Sequence, residues 1–147
     1  MKHVLVIANE TVAGQSLIEA LGRRKDGGLL VTVICPVNQP REGYVVYEDT
    51  RRASAGRRLD KTLETLREEG IKASGFVVDA DPVAAVRDAL AQLEPRPDEI
   101  VVSTHPRQRS GWLRRDVVER IRRAAGGIPV EHVVVDLEKE ASAEANV

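Results

Sequence analysis

Cysteine, aromatic residues and long apolar runs are all scarce in this chain, and each scarcity excludes something. The one cysteine, Cys35, leaves no internal disulfide and no cysteine-based zinc site. It lies inside an apolar run, where a buried structural thiol is expected. Aromatic residues make up 3% of the chain, too few for the stacking platforms that hold single-stranded nucleic acid. No stretch approaches the ~18 apolar residues of a membrane-spanning helix. The amino-terminal MKHVLVIA is too short an apolar run for a secretory signal, so the expected location is cytoplasmic. A net charge of −1 gives the surface as a whole no electrostatic pull on nucleic acid. The histidines His3, His105 and His132 show no metal-ligand spacing, and no metal is expected.

What the chain does have is alternation. At 147 residues it is long enough to bury a core without staples. Runs rich in Val and Ile occupy residues 4–8, 29–35, 71–78, 100–102 and 130–135. They are mostly unbroken rather than alternating, the pattern of parallel strands covered on both faces. Between them lie helical stripes: Leu17, Ala20 and Leu21; then Leu59, Leu63 and Leu66; then Val83, Val86, Leu90 and Leu93; then Leu113, Val117, Ile121 and Ala124. Gly70 is placed to end the second, Asp81-Pro82 to open the third, and Gly126-Gly127 to close the fourth. The order βαβαβαβαβ, with right-handed crossovers, predicts a doubly wound α/β domain over residues 1–136. Residues 38–56 read as a long connection, and residues 137–147 as an acidic, frayed tail.

In such a domain ligands bind where strand C-termini meet helix N-termini. The stretch EIVVSTHPRQRSGWLRRDVVERIRR, residues 99–123, crosses from a strand through a polar loop into an arginine-rich helix. Ser103, Thr104, His105, Arg109, Ser110 and Gly111 on this side, and Ala8 and Asn9 at the end of the first strand, are therefore candidate ligand or anion contacts. Ser110 is a candidate N-cap whose helix would aim first-turn N–H groups at the loop, with Arg109 adding charge. The competing reading is a capped helix with solvated arginines, paired as Asp116–Arg120 and Glu119–Arg123. Trp112 reads as packing or as an interface anchor, and Tyr44 and Tyr47 as residues near the sheet's carboxyl edge or ordinary loop packing.

With these elements placed, the chain resembles the universal stress protein family over nearly its whole length. The resemblance rests on the opening strand VLVIAN, on DADPVAAV at residues 79–86, and on the block from Ile100 to Val135. It implies a Rossmann-like fold with five parallel strands in the order 3-2-1-4-5. It also implies a homodimer paired through the last strand, which begins at Val130 and ends at Val135. ATP-binding members carry two leading glycines and a terminal glycine with serine or threonine in the loop after the fourth strand. Here the leading glycines are Ser103 and Pro106, and the terminal pair is replaced by Arg115-Asp116 or Asp116-Val117. Glycine lets backbone curl around a phosphate, whereas proline offers no N–H. The aspartate usual after the first strand is replaced by Asn9-Glu10.

The expected function is a non-enzymatic binding or regulatory module with an altered nucleotide site, and no firm cofactor. The alternative is a working ATP- or AMP-binding protein that rebuilds its phosphate contacts with Arg109 and the Ser110 helix terminus. A nucleotidyl transferase is disfavoured because residues 8–14, ANETVAG, hold no histidine where such enzymes carry one. No Asp-His-Ser or Cys-His constellation appears elsewhere.

Overall fold

The computed structural model of the protein describes residues 1–8, 14–37, 45–106 and 116–135, with residues 45–52 described by their backbone alone. Five strands form one sheet: β1 (Lys2–Ala8), β2 (Leu29–Pro36), β3 (Lys72–Val78), β4 (Glu99–Thr104) and β5 (Val130–Val134). Their spatial order is β3-β2-β1-β4-β5 and every pairing is parallel, as the family resemblance implies. Four described helices cross between strands: α1 (Gln15–Gly22), α2 (Val45–Glu68), α3 (Pro82–Gln92) and α4 (Val117–Ala124).

Strand parity divides the core in two. Val4, Val6, Val31, Val33, Val101 and Val133 face α1 and α2, while Leu5, Ile7, Ile34, Ile100 and Val102 face α3 and α4. Both faces of β1 are thus covered, and Val4 through Ala8 are 0% exposed. This is why its sequence runs apolar without alternation. Cys35 is buried near the end of β2, and burial pushes its thiol up to about 12, so it stays protonated and inert.

Local chemistry sets the helix ends. The Asp81 carboxylate accepts hydrogen bonds from the N–H groups of Val83 (2.9 Å) and Ala84 (3.0 Å), with Pro82 at the first helical position. At the end of α2, Gly70 takes φ +82, and the Ile71 N–H reaches back to the Leu66 carbonyl at 3.0 Å. That is a left-handed cap, which glycine adopts without strain.

Three expectations need correction. Residues 38–56 are not all connection, because α2 already begins at Val45. The polar stretch YEDTRRASAG lacks an apolar stripe, so its helicity is hidden from a periodicity reading. The helix holding Val117 and Ile121 has Asp116, not Ser110, at its N-cap position, with Asp116 in the left-handed region at φ 58. A left-handed residue interrupts the helical backbone there, so α4 begins at Val117. On α4 Glu119 pairs with Arg122, three residues on, instead of Arg123. The 137–147 tail, Leu113, Trp112 and Tyr44 lie outside the described residues, as does the side chain of Tyr47.

An ion cluster clamps α1 to the sheet. The Arg24 guanidinium donates to both Glu99 oxygens, at 3.2 and 3.0 Å, and also to Glu131 and to the Ala20 carbonyl. Lys2 closes on Glu99 at 3.0 Å. The hydrogen bonds from Arg24, with those from Lys2, hold the Glu99 carboxyl below the usual carboxylate range.

The closest backbone approach lies at Gly75 in β3. A Cβ there would stand 2.5 Å from the Val33 carbonyl oxygen and 3.0 Å from Leu59 Cδ1 of α2. Gly56, inside α2, has open space around it. Opposite outcomes follow for one substitution. Gly75→Ala is expected to cost about 1–3 kcal/mol in urea unfolding. Gly56→Ala is expected to stabilise by about 0.5–1 kcal/mol, because glycine is unfavourable in a helix interior.

Candidate functional site

Where the strand order reverses, β1 and β4 lie side by side and their crossovers leave to opposite faces, opening a crevice at the carboxyl edge. Ala8 and Ser103 stand opposite each other in the register across that junction. The structure therefore brings together the two strand ends that the sequence nominates.

Their side chains are spent on the interior. Ala8, Ser103 and Thr104 are all 0% exposed. Ser103 remains inside the ladder, flanked by Ala8 on one side and Val133 on the other. Thr104 is paired with Val134, and its carbonyl accepts the Val135 N–H at 2.7 Å. Backbone at these two positions thus belongs to the sheet and does not curl into a cradle. His105 and Pro106 follow outside the strand and are half-buried. Asn9, Arg109, Ser110 and Gly111, the other nominated contacts, lie outside the described residues.

A polar pair beneath this edge escapes sequence reading. Thr104 Oγ1 and His132 Nε2 lie 2.7 Å apart, joining the end of β4 to β5. Val102 is in register with His132 and Thr104 with Val134, so the contact is diagonal. Residue parity alone would assign both side chains to one face; finding the contact requires the register. Burial, with the Arg122 charge adding to it, holds His132 below its ordinary pKa.

His3, at the opposite end of the sheet, is a core histidine. Its Nδ1 faces the Pro95 carbonyl at 2.6 Å and therefore donates, and its Nε2 lies 2.9 Å from Thr32 Oγ1. Asp98 secures the same strand by accepting the His3 backbone N–H at 2.9 Å. Among the described residues, no group of three or more His, Cys, Asp and Glu is placed to hold a metal ion. No helix among them is long and apolar enough to cross a membrane.

The lowered pKa of His132 has a definite sign. The unfolded chain takes up a proton near pH 6.5, while the folded imidazole resists until lower pH. The contribution is fully present above pH 6.5 and is lost as pH falls below it. A proton NMR titration of the imidazole is expected to place His132 below the ordinary histidine midpoint; a midpoint above it would contradict this account.

No protein-family profile and no curated protein matches the chain. Solved structures do. A universal stress protein family protein from Arabidopsis thaliana, solved with AMP bound, superposes with a TM-score of 0.61. It shares 14% identity, and the match covers 95% of each chain. The universal stress protein from Archaeoglobus fulgidus also gives a TM-score of 0.61, at 15% identity over 90% of this chain and 93% of its own. At such identity the likeness establishes the fold: a five-stranded, Rossmann-like α/β fold of the universal stress protein type.

Proposed function

We propose that this protein is a non-enzymatic binding or regulatory module on the universal stress protein fold, with an altered nucleotide site. The observation that carries this reading is the state of Ser103 and Pro106, which stand where ATP-binding members of that family place glycines. Ser103 is a buried strand residue paired on both sides, and Pro106 has no N–H to give. Two positions that would shape a phosphate cradle thus contribute strand and ring instead of inward-pointing donors.

The second reading, an ATP- or AMP-binding protein that uses Arg109 and the Ser110 helix terminus, draws support from the AMP in the Arabidopsis structure. The described helix Val117–Ala124 opens at Asp116, whose carboxylate would repel phosphate at that terminus. Calorimetry separates the two. The altered-site reading expects ATP to bind no tighter than about millimolar, near −4 kcal/mol. Micromolar binding that disappears in Arg109→Ala would establish the second reading in its place.

The module is further proposed to be a cytoplasmic homodimer. β5 is an edge strand, and its Val134 is 48% exposed. An apolar edge invites pairing, and a second copy of the same strand is the simplest cover. Light scattering at tens of micromolar is expected to give twice the mass of the chain. The substitution Val134→Lys on the exposed position should shift the protein toward monomer.

A further inference from the structure

The two faces of the edge strand β3 differ in cover. Ala73 and Val77 turn toward the core beneath α2, while Phe76 and Val78 turn toward α3. α3 itself leans on α4 and β2, and the residues it presents beside β3 include the small Ala85 and Ala89, one turn apart. The result is a cavity of about 160 Å³ between α3 and the β2–β3 ladder. Ile34 and Phe76, partners in register, line it from the sheet. It opens at the surface, because Phe76 is 46% exposed and the lining residues Asp88 and Gln92 are exposed as well.

Size, surface and charge each narrow what this cavity takes. An apolar void of about 150 Å³ holds one benzene ring, so there is room here for a single ring. Phe76, the one phenylalanine of the chain, offers that ring an aromatic partner. Among the described residues lining the cavity, Asp88 carries the one charge. Neither Asp88 nor Gln92, one turn further along α3, engages its side chain in a hydrogen bond or ion pair with another described residue. A carboxylate at the mouth of an apolar slot favours a cation and repels an anion.

We propose that the cavity between α3 and β3 binds an arylalkyl ammonium ion, with its ring against Phe76 and the two alanines and its ammonium group at Asp88. The Gln92 side-chain carbonyl is a second acceptor for the ammonium N–H groups. The site lies at the β3 edge of the sheet, separated by β2 from the β1–β4 junction. It is therefore independent of the loop after β4 and of any nucleotide bound there. It also accounts for the small residues on α3, since a larger side chain at Ala85 or Ala89 would fill the space.

The probe is 2-phenylethylammonium chloride, with 2-phenylethanol as its neutral counterpart, each added at constant ionic strength. In protein labelled at the alanine methyl carbons, the Ala85 and Ala89 signals are assigned by their loss in Ala85→Ser and Ala89→Ser. Both are expected to shift saturably with the amine, with a Kd of about a millimolar. Asp88→Asn should weaken the amine about threefold or more and leave the alcohol unchanged. Ala89→Leu, which fills the cavity, should abolish binding of both probes. Phe76→Leu, a milder change at an exposed position, should weaken both probes alike and carries the test if Ala89→Leu does not fold. Methyl signals that ignore the amine up to tens of millimolar overturn the proposal. So does a folded Ala89→Leu that binds the amine as the parent does, or an alcohol that binds the parent as tightly as the amine.

Discussion

The architecture depends on the burial of β1. That strand is hydrogen-bonded to β2 on one side and β4 on the other, and helices cover both of its faces. A strand in that position can hold no polar side chain without a partner, which is why residues 4–8 are wholly apolar. It also forces the crossovers to opposite faces: β1 leads to α1 on one side, and β4 leads toward α4 on the other. The crevice between their ends follows from topology before any side chain is considered.

Charge is handled differently at the two ends of this sheet. Toward the amino edge, Arg24 is saturated by two carboxylates and a carbonyl, with Lys2 on the same Glu99. The result is a clamp from α1 to β1, β4 and β5 that serves packing. On α2, by contrast, the Nε of Arg58 is shut off from solvent and has no acceptor among the described residues. Structural arginines are satisfied within the chain, because an unpaired buried charge is expensive.

The strand ends themselves are poor ligand contacts. Ser103 and Thr104 belong to the ladder, and the Thr104 hydroxyl is committed to His132. A ligand at this edge would therefore meet groups that flank the sheet. This agrees with the general division in α/β domains, where the sheet sets position and the crossovers carry specificity.

Much of the fold was legible from residue order. Unbroken Val and Ile runs identified the strands, although only β1, β2 and β4 are covered on both faces while the edge strands β3 and β5 are partly exposed. Asp81-Pro82 and Gly70 marked helix ends, because these signals act within a few residues of themselves. The strand order came from the family resemblance. The start of α2 at Val45 was not legible, since a solvated polar helix leaves no apolar stripe to read. Nor was the Asp116 break before α4, since aspartate only occasionally takes the left-handed region and no pattern in the sequence marks where it does. Of the site, the sequence determined which strand ends meet and which glycines are missing. Only tertiary structure decided that Ser103 is paired on both sides, that Thr104 meets His132, and that Arg24 joins Glu99 to Glu131. Each of these depends on register or on contacts between segments distant in sequence, and a one-dimensional pattern does not encode the distance between two side chains.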